Sequence, residues 1–280
     1  MANEYPRNML KVPSYTLLRE EDKDKLPVLD VRNLGIDFGG LTAVDGFNIT
    51  IGPTEISGLI GPNGAGKTTI FNLLTSVYQP TRGSILINGV DTKGMTTSKV
   101  NRLGIARTFQ NIRLFTDMSA LDNVKVGMHN SIRCSFAESL LHLPGYFKAE
   151  KQANARAMEL LDFMGLADVG DKKAGSLPYG VQRRLEIVRA LATDPSIILL
   201  DEPAAGMNPS ETTELMHQIR RIRDTIHIAI FLIEHDMNLV MNVCEAIAVV
   251  NYGRIIAKGT PEEVRSDPAV IEAYLGKEGN

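Results

Sequence analysis

The chain has 280 residues, of which 44% are hydrophobic and 22% charged, and a formal net charge of -3 at pH 7. These values are those of an ordinary globular protein, long enough for one large α/β domain or two smaller ones. The slight acidity gives no support to nucleic acid as a partner, because such a surface needs clustered basic residues. Cys134 and Cys244 lie far apart without metal-type spacing, which argues against a disulfide framework.

The start of the chain is polar and mixed. Residues 1–27 lack the apolar stretch of a secretory signal. No apolar run of about 18 residues, the length needed to span a bilayer, follows later. We therefore expect residues 1–27 to form an extension outside the core domain, flexible in part. If the protein works at a membrane, we expect another polypeptide to supply the membrane spans.

Two alternating segments, residues 28–34 and 47–51, predict half-exposed strands. Phe38 lies on the turn between them. Its ring is suited to stacking on a purine base, but filling the core at a strand end is the commoner use of such a residue. The residues alone leave both roles open for Phe38.

The segment from Gly61 to Thr69 reads Gly-Pro-Asn-Gly-Ala-Gly-Lys-Thr-Thr and lies between two short apolar runs. A buried strand, a glycine-rich turn and the start of a helix form the context in which this spacing binds phosphate. The glycines let successive backbone N–H groups converge on an anion, and the helix adds its positive N-terminal end. Lys67 then reaches the β- and γ-phosphates, and the Thr68 hydroxyl is placed to coordinate Mg²⁺. The loop is predicted to bind a nucleoside triphosphate rather than merely to join a strand to a helix.

Strands are predicted at residues 84–89 and 105–110, and the pattern between Gln110 and Leu177 is helical. Apolar residues recur in that block at helical spacing and indicate a stripe that faces a core. The stripe consists of Ala153, Ala157, Leu160, Leu161 and Met164. The block is therefore predicted to form a helical subdomain separate from the sheet.

A further helix opens at Gly180, with an apolar face and with Arg183 and Glu186 away from that face. Residues 197–202 form an apolar run closed by two carboxylates, which is typical of a strand buried on both faces of a parallel sheet. The remaining predicted elements are a helix at residues 211–223, strands at residues 228–233, 246–250 and 254–257, and a final helix from Pro261.

Polar residues follow two of the buried strands, and ligands of an open parallel sheet collect at the carboxyl ends of its strands. Asp201 is placed there to hold Mg²⁺ opposite Thr68, and Glu202 to orient or deprotonate a water molecule. His235 can donate a hydrogen bond to a γ-phosphate oxygen. The alternatives are a pair of water-exposed acids and a surface histidine.

Taken in order, these motifs resemble those of the ATP-binding subunits of ABC transporters over about residues 28–275. The elements are residues 61–69 as Walker A, Gln110 as the Q-loop, residues 177–182 as the signature segment, residues 199–202 as Walker B and His235 as the switch histidine. The resemblance implies an α/β P-loop NTPase fold with a RecA-like mixed core sheet, an antiparallel β subdomain and an α-helical subdomain at about residues 111–180. Residues 276–280 would then be a C-terminal tail.

The resemblance also assigns functional residues. Phe38 becomes the aromatic residue that stacks on adenine, and Gln110 becomes a ligand of Mg²⁺ and water that couples the site to the helical subdomain. The nucleotide-binding set is Phe38, Gly61, Asn63, Gly64, Ala65, Gly66, Lys67, Thr68, Thr69, Gln110, Tyr179, Gly180 and Asp201. The metal set is Thr68, Gln110 and Asp201, and the catalytic set is Lys67, Glu202 and His235. The implied cofactors are ATP and Mg²⁺.

The family works as a head-to-tail dimer, which implies several partners. These are a second ABC ATPase subunit (the same chain or a paralogue), integral membrane permease subunits and, through them, a solute-binding protein. The implied location is peripheral, at the cytoplasmic face of the plasma membrane. Residues 111–146 resemble the segment that meets the permease, and the exposed-looking apolar residues there leave this role and ordinary packing equally open.

The sequence departs from the usual ABC motifs at two places, and these departures indicate which branch of the family it resembles. Residues 177–181 read Leu-Pro-Tyr-Gly-Val where the common signature is Leu-Ser-Gly-Gly-Gln, and Pro178 supplies neither a hydroxyl nor a backbone N–H. Gly180 and the N-terminus of the following helix remain to bind phosphate across the dimer. Asn208 stands where many relatives have Asp. These features resemble the first ATPase subunit of branched-chain amino acid importers, with urea and other amide importers close by.

Two other classes of protein carry the same nucleotide-binding head. Chromosome-maintenance and repair ATPases insert long coiled-coil arms, but the segment between Gln110 and Leu177 is short and has no sustained heptads. Translation-associated ABC proteins normally carry two heads, whereas this chain has a single loop of the Lys67 type. The motor subunit of a bacterial amino acid importer is therefore the leading hypothesis. Selectivity for the solute belongs to other subunits and is not readable here.

Overall fold

A computed structural model of the protein describes Asp22 and residues 25–130 and 144–275. The strands are β1 (Leu29–Phe38), β2 (Leu41–Ile51), β3 (Ile56–Ile60), β4 (Arg82–Ile87), β5 (Val90–Asp91), β6 (Ile105–Arg107), β7 (Ile197–Asp201), β8 (Ala229–Ile233), β9 (Ala246–Asn251) and β10 (Arg254–Gly259). The helices are α1 (Lys67–Leu74), α2 (Thr97–Arg102), α3 (Ala120–Gly127), α4 (Pro144–Phe163), α5 (Tyr179–Leu191), α6 (Pro209–Ile226), α7 (Met237–Val243), α8 (Pro261–Ser266) and α9 (Pro268–Leu275). Short 3₁₀ helices occur at Met128–Asn130, Ala167–Val169 and Ala174–Ser176.

The strands form two sheets of different type. The smaller sheet has the order β2-β1-β4-β5, and all its neighbouring strands are antiparallel. The larger sheet has the order β10-β9-β3-β8-β7-β6, and its neighbours are parallel except for β10 and β9. Because β3, β6, β7 and β8 run in the same direction, the segments that follow them leave the sheet at one edge.

The central strands are buried on both faces, as their continuous apolar runs predict. Along β7, Ile198 and Leu200 pack with residues of α3, α4 and α5, whereas Ile197 and Leu199 pack with α1 and the smaller sheet. Successive side chains of a strand point to opposite faces, so the central sheet lies between two separate cores. The predicted combination of a mixed core sheet, an antiparallel sheet and a helical part is confirmed.

Two predicted elements differ from the observed ones. The strand predicted at residues 105–110 ends at Arg107; the N–H of Thr108 still donates to Leu199, but the chain then turns away from β7. The predicted final helix is two helices, because Asp267 has an extended backbone. A residue before a proline is disfavoured in the helical conformation, and Pro268 then begins α9.

The end of the predicted extension packs on the domain. Asp22 is buried, and its Oδ2 accepts hydrogen bonds from the N–H of Thr54 at 3.0 Å and from the Thr54 hydroxyl at 2.9 Å. Residues 1–21 and Cys134 lie outside the described residues, and Cys244 is a buried free thiol. Among the described helices, none combines the length and the apolar character needed to cross a membrane. The domain limits at residues 28 and 275 and the helical subdomain at about 111–180 stay predictions.

Candidate functional site

The loop between β3 and α1 has the backbone conformation of an anion-binding turn. Gly64 and Gly66 have φ angles of 78° and 101°, in the left-handed region that side chains other than glycine rarely adopt. A Cβ atom on Gly66 would also lie 3.0 Å from the carbonyl oxygen of Ala43 in β2. Two independent constraints, backbone angle and close approach, therefore require glycine at position 66.

Lys67 begins α1 and folds back over the loop. Its Nζ donates hydrogen bonds to the carbonyl oxygens of Gly61 at 2.6 Å and Pro62 at 3.0 Å. Burial lowers the pKa of the Lys67 ammonium, and the charges of Glu202 and Asp201 act in the opposite direction. The structure thus places the loop lysine in the electrostatic field of both predicted carboxylates.

The two carboxylates that close β7 have different environments. Asp201 is buried, whereas Glu202 lines an open cleft. Glu202 has a φ angle of 48°, and its N–H donates to the carbonyl oxygen of Ile233 at 2.9 Å. A left-handed conformation at a residue other than glycine costs about 1–3 kcal/mol and is concentrated at functional sites.

Two other predicted site residues, Gln110 and His235, lie near the Glu202 carboxylate. Gln110 Nε2 donates to Glu202 Oε2 at 2.7 Å. His235 Nδ1 lies 3.9 Å from the same oxygen and 3.8 Å from Glu234 Oε2, which is beyond hydrogen-bond distance. The His235 side chain is 67% exposed.

The cleft has a volume of about 540 Å³, within the size range of ligand pockets. It is lined by Leu41, Thr42, Ala43, Asn63, Gly64, Ala65, Gly66, Lys67, Thr68, Thr69, Gln110, Glu202 and Tyr252. One wall comes from the smaller sheet, the floor from the loop and α1, and the far side from the segments after β6 and β7. This division explains why segments distant in sequence contribute to one site.

Phe38 lies beside this cleft rather than in its lining. It ends β1, is 43% exposed, and its ring meets that of Tyr78 edge to face with centroids 5.2 Å apart. Among the described residues of β2, Leu41, Thr42 and Ala43 line the cleft. Stacking of adenine on Phe38 stays a prediction.

The signature segment is separate from the cleft of its own chain. Tyr179 and Gly180, the first residues of α5, are absent from the described lining. A Cβ on Gly206 would lie 3.2 Å from the Tyr179 ring, and a Cβ on Gly180 would lie 2.7 Å from Glu211 Oε1. These two predicted nucleotide-binding residues therefore lie apart from the cleft, next to residues 204–211, where Tyr179 is exposed at a second surface and Gly180 is buried.

Sequence reasoning missed a buried ion pair at the site. Arg107 Nη2 donates to Asp201 Oδ2 at 2.7 Å, and Arg107 Nη1 donates to Asn72 Oδ1 at 2.7 Å. The Arg107 and Asp201 side chains are almost fully buried. The only signal in the sequence was a charged residue inside the strand predicted at residues 105–110.

Glu234 was also missed. It follows β8, is buried, and accepts hydrogen bonds from the backbone N–H groups of Ala204 at 2.8 Å and His235 at 3.1 Å. Burial raises the pKa of Glu234, and these backbone donors oppose the shift. The side chain ties the turn after β7 to the turn that presents His235.

The fold and the cleft define a P-loop nucleotide-binding ATPase domain. A family model described as ABC transporter matches residues 44–205, and one described as branched-chain amino acid ATP-binding cassette transporter matches residues 254–280. The chain belongs to the ABC transporter family of ATP-binding proteins. It is an ABC ATPase that binds adenine nucleotide and hydrolyses ATP.

Named relatives cover nearly the whole chain. The high-affinity branched-chain amino acid transport ATP-binding protein BraF of Pseudomonas aeruginosa is 45% identical over 251 residues, 90% of this chain and 98% of that protein. The corresponding LivG of Escherichia coli is 46% identical over the same shares. The crystal structure of the ADP conformation of MJ1267, an ATP-binding cassette of an ABC transporter, superposes with a TM-score of 0.78 at 31% identity, covering 90% of this chain and 100% of that one.

Proposed function

We propose that the chain is the ATP-hydrolysing motor subunit of an ABC importer for branched-chain amino acids. The names of relatives at 45% and 46% identity support the solute class. The observation that carries the motor role is that Lys67, Gln110 and Glu202 line one cleft, with His235 Nδ1 3.9 Å from the Glu202 carboxylate. Urea or another amide is the alternative solute, since selectivity belongs to partner subunits.

The loop and α1 hold the triphosphate of ATP. Residues 63–69 line the cleft and supply backbone N–H groups to the phosphates, and the N-terminus of α1 adds a positive end. The Lys67 ammonium exchanges its carbonyl partners, Gly61 and Pro62, for phosphate oxygens, which are stronger charge-assisted acceptors. The same group then stabilises negative charge that develops on the γ-phosphate.

Three oxygen donors are assigned to a magnesium ion. Thr68 and Gln110 line the cleft and would offer a hydroxyl and an amide oxygen, and the buried Asp201 would offer the carboxylate oxygen that Arg107 does not hold. A single carboxylate with phosphate oxygens is the usual protein environment for Mg²⁺. All three donors are oxygen atoms, without thiolate or imidazole, so the donor set suits this ion rather than a soft transition metal. When bound, Mg²⁺ neutralises charge on the β- and γ-phosphates.

Glu202 acts as the base that orients and deprotonates the attacking water. Gln110 holds one oxygen of its carboxylate at 2.7 Å, which leaves the other oxygen for water. The exposed His235 donates a hydrogen bond to a γ-phosphate oxygen. The rate of hydrolysis is raised by positioning of the water and the phosphate and by electrostatic stabilisation, without a covalent intermediate on the protein, as in these ATPases generally.

The second surface, carrying Tyr179 and Gly180, serves the nucleotide of a partner ATPase subunit in a head-to-tail dimer. Its separation from the cleft of its own chain supports this assignment. The partner is the same chain or a paralogue. Pro178 precedes α5 without a side-chain cap, so backbone N–H groups of the helix replace the usual serine contact.

Membrane permease subunits dock on the helical part, and a solute-binding protein acts through them. Phe115 and Val126 are apolar and exposed there. Such residues favour a partner surface when they lie together. The chain then works as a peripheral protein at the cytoplasmic face of the plasma membrane.

The test is transport by the purified complex. A tag on this chain should recover hydrophobic permease subunits, and proteoliposomes of that complex should take up radiolabelled leucine, isoleucine and valine in the presence of ATP. The same complex with Glu202→Gln is the control and should take up none. Uptake of urea without these amino acids would refute the solute, and recovery of ribosomes or nucleic acid instead of permeases would refute the importer.

A further inference from the structure

Arg183 is a buried cation that the helical pattern placed away from the core. It lies one turn inside α5, and its side chain is 0% exposed. Burying a charged group costs free energy unless the group is paired and hydrogen-bonded. The hydrogen-bond partners of Arg183 therefore indicate its role.

The guanidinium group bridges two segments of the site. Nη1 donates to the carbonyl oxygen of Phe109 at 2.6 Å and to Glu186 Oε2 at 2.9 Å. Nη2 donates to the carbonyl oxygens of Gln110 at 2.7 Å and Glu202 at 3.1 Å. One side chain thus binds the backbone after β6 and the backbone after β7.

We propose that Arg183 is a positioning residue that holds the backbones of Gln110 and Glu202 so that their side chains meet. The proposal rests on the proposed catalytic role of Glu202. The Glu202 backbone is left-handed, its N–H is held by Ile233, and its carbonyl oxygen is held by Arg183 and by the N–H of Ala205 at 3.1 Å. Without Arg183, one of the restraints on this unfavourable conformation is lost.

The shape of the guanidinium group is essential to this role. Its planar fork presents separate N–H groups to carbonyl oxygens on different segments, whereas the lysine ammonium is a single point with three donors. Glu186 balances the charge, and its Oε1 accepts the N–H of Arg113 at 3.2 Å. Arg183→Lys therefore keeps the cation but loses the bridge.

The arrangement also connects the two surfaces of one subunit. Arg183 follows Tyr179 and Gly180 on α5, so the helix that carries the second surface is bonded to the backbone of the catalytic glutamate. A displacement of α5 reaches Glu202 through this side chain. The connection is made of contiguous hydrogen bonds rather than distance alone.

The experiment measures kcat, KM and ATP affinity on the full chain. Arg183→Lys should lower kcat by about 10- to 100-fold, because small misplacements of catalytic groups have effects of that size. Its KM and its equilibrium affinity for ATP should stay at the wild-type values. Val188→Ala, a cavity variant at a fully buried position of the same helix, is the matched control and should lower Tm without this loss of kcat.

A second variant guards against misfolding. Arg183→Met with Glu186→Leu replaces the buried ion pair by apolar side chains, a change that folded proteins often tolerate. It should show the same selective loss of kcat. The proposal is overturned if either folded variant has the wild-type kcat. It is also overturned if the loss of kcat is no greater than that of Val188→Ala at equal Tm.

Glu202→Gln separates the two possible failures. If Glu202→Gln abolishes turnover but Arg183→Lys does not reduce it, the positioning role of Arg183 is wrong and the proposed role of Glu202 stands. If Glu202→Gln retains full turnover, the catalytic assignment itself is wrong and the Arg183 proposal falls with it.

Discussion

The two ends of the central parallel strands bury acidic side chains in different ways. At the carboxyl end, Asp201 is buried in direct contact with the Arg107 guanidinium at 2.7 Å. At the amino end, Glu55 precedes β3, is buried, and accepts the N–H of Gly52 at 2.9 Å and the Ser57 hydroxyl. Burial raises the pKa of Glu55 to about 7. The carboxyl end of the sheet thus pairs its buried acid with a guanidinium group, whereas the amino end holds a buried acid whose pKa is raised.

The comparison shows that a buried carboxyl group is not by that fact a candidate catalytic residue; its position relative to the cleft decides. The Glu55 side chain feels the charges of Lys258 and Glu245, which act in opposite directions on its pKa, and burial exceeds both. Glu202 in contrast lines an open cleft and is held by Gln110. Substitutions at the carboxyl end should therefore affect turnover, and those at the amino end should affect stability and its pH dependence.

The largest expected effect is that of Glu202→Gln. Loss of a general base typically lowers turnover by about 10²- to 10⁴-fold, whereas ATP binding should persist because the loop and Lys67 are intact. Steady-state ATPase assays and gel filtration with ATP should show an inactive, nucleotide-trapped dimer. Undiminished turnover would remove Glu202 from the catalytic role, and the exposed Glu159→Gln is the control.

Lys67→Ala should remove ATP binding itself. Two charge-assisted hydrogen bonds to phosphate, each worth about 1.5–3 kcal/mol, correspond to a loss of affinity of about 100-fold or more. Equilibrium binding of a fluorescent ATP analogue measures it, with the exposed Lys99→Ala as the control. Normal affinity in Lys67→Ala would contradict the phosphate-loop assignment.

Glu55→Gln should change stability at the other end of the sheet. The pKa of Glu55 is about 7 in the folded state and near 4.5 in the unfolded state. Between these pH values the Glu55 carboxyl group keeps its proton in the native state but has lost it in the unfolded state. Stability therefore falls as pH rises from about 4.5 to about 7, by up to about 3 kcal/mol, and the loss is complete above that range.

Urea denaturation of Glu55→Gln between pH 5 and 8 should show this decline reduced or absent, with a gain in stability at pH 8. Turnover at pH 7 should not change, since Glu55 lies at the end of β3 away from the loop. A decline as steep as that of the wild-type chain would show that other groups cause it.

The smallest expected effect is that of Phe38→Ala, at the rim of the cleft. Stacking of a base on an aromatic ring is worth about 1–3 kcal/mol, so affinity for ATP and ADP should fall by about tenfold, with kcat preserved. Tyr78→Ala removes the neighbouring ring and is the matched control. Equal affinities in wild type and Phe38→Ala would return Phe38 to a packing role.

Part of the site could be predicted from the sequence because its motifs consist of residues adjacent in the chain. The Gly61–Thr69 segment, the paired acids after β7 and the apolar strands were identified because each depends on residues adjacent in the chain. The pattern of strands and helices likewise indicated the fold class, since buried parallel strands and surface helices have distinct periodicities. The sequence by itself therefore determined the fold class and the phosphate loop.

Only the tertiary structure decided which distant groups line the cleft and which hold its residues in place. Arg107 reaches Asp201, and Arg183, which the helical pattern placed on a polar face, instead reaches carbonyl groups after β6 and β7. Tyr252 reaches the cleft from the turn after β9. These contacts depend on which strands are neighbours in the sheet and on how α5 packs against it, and residue type and spacing carry no such information.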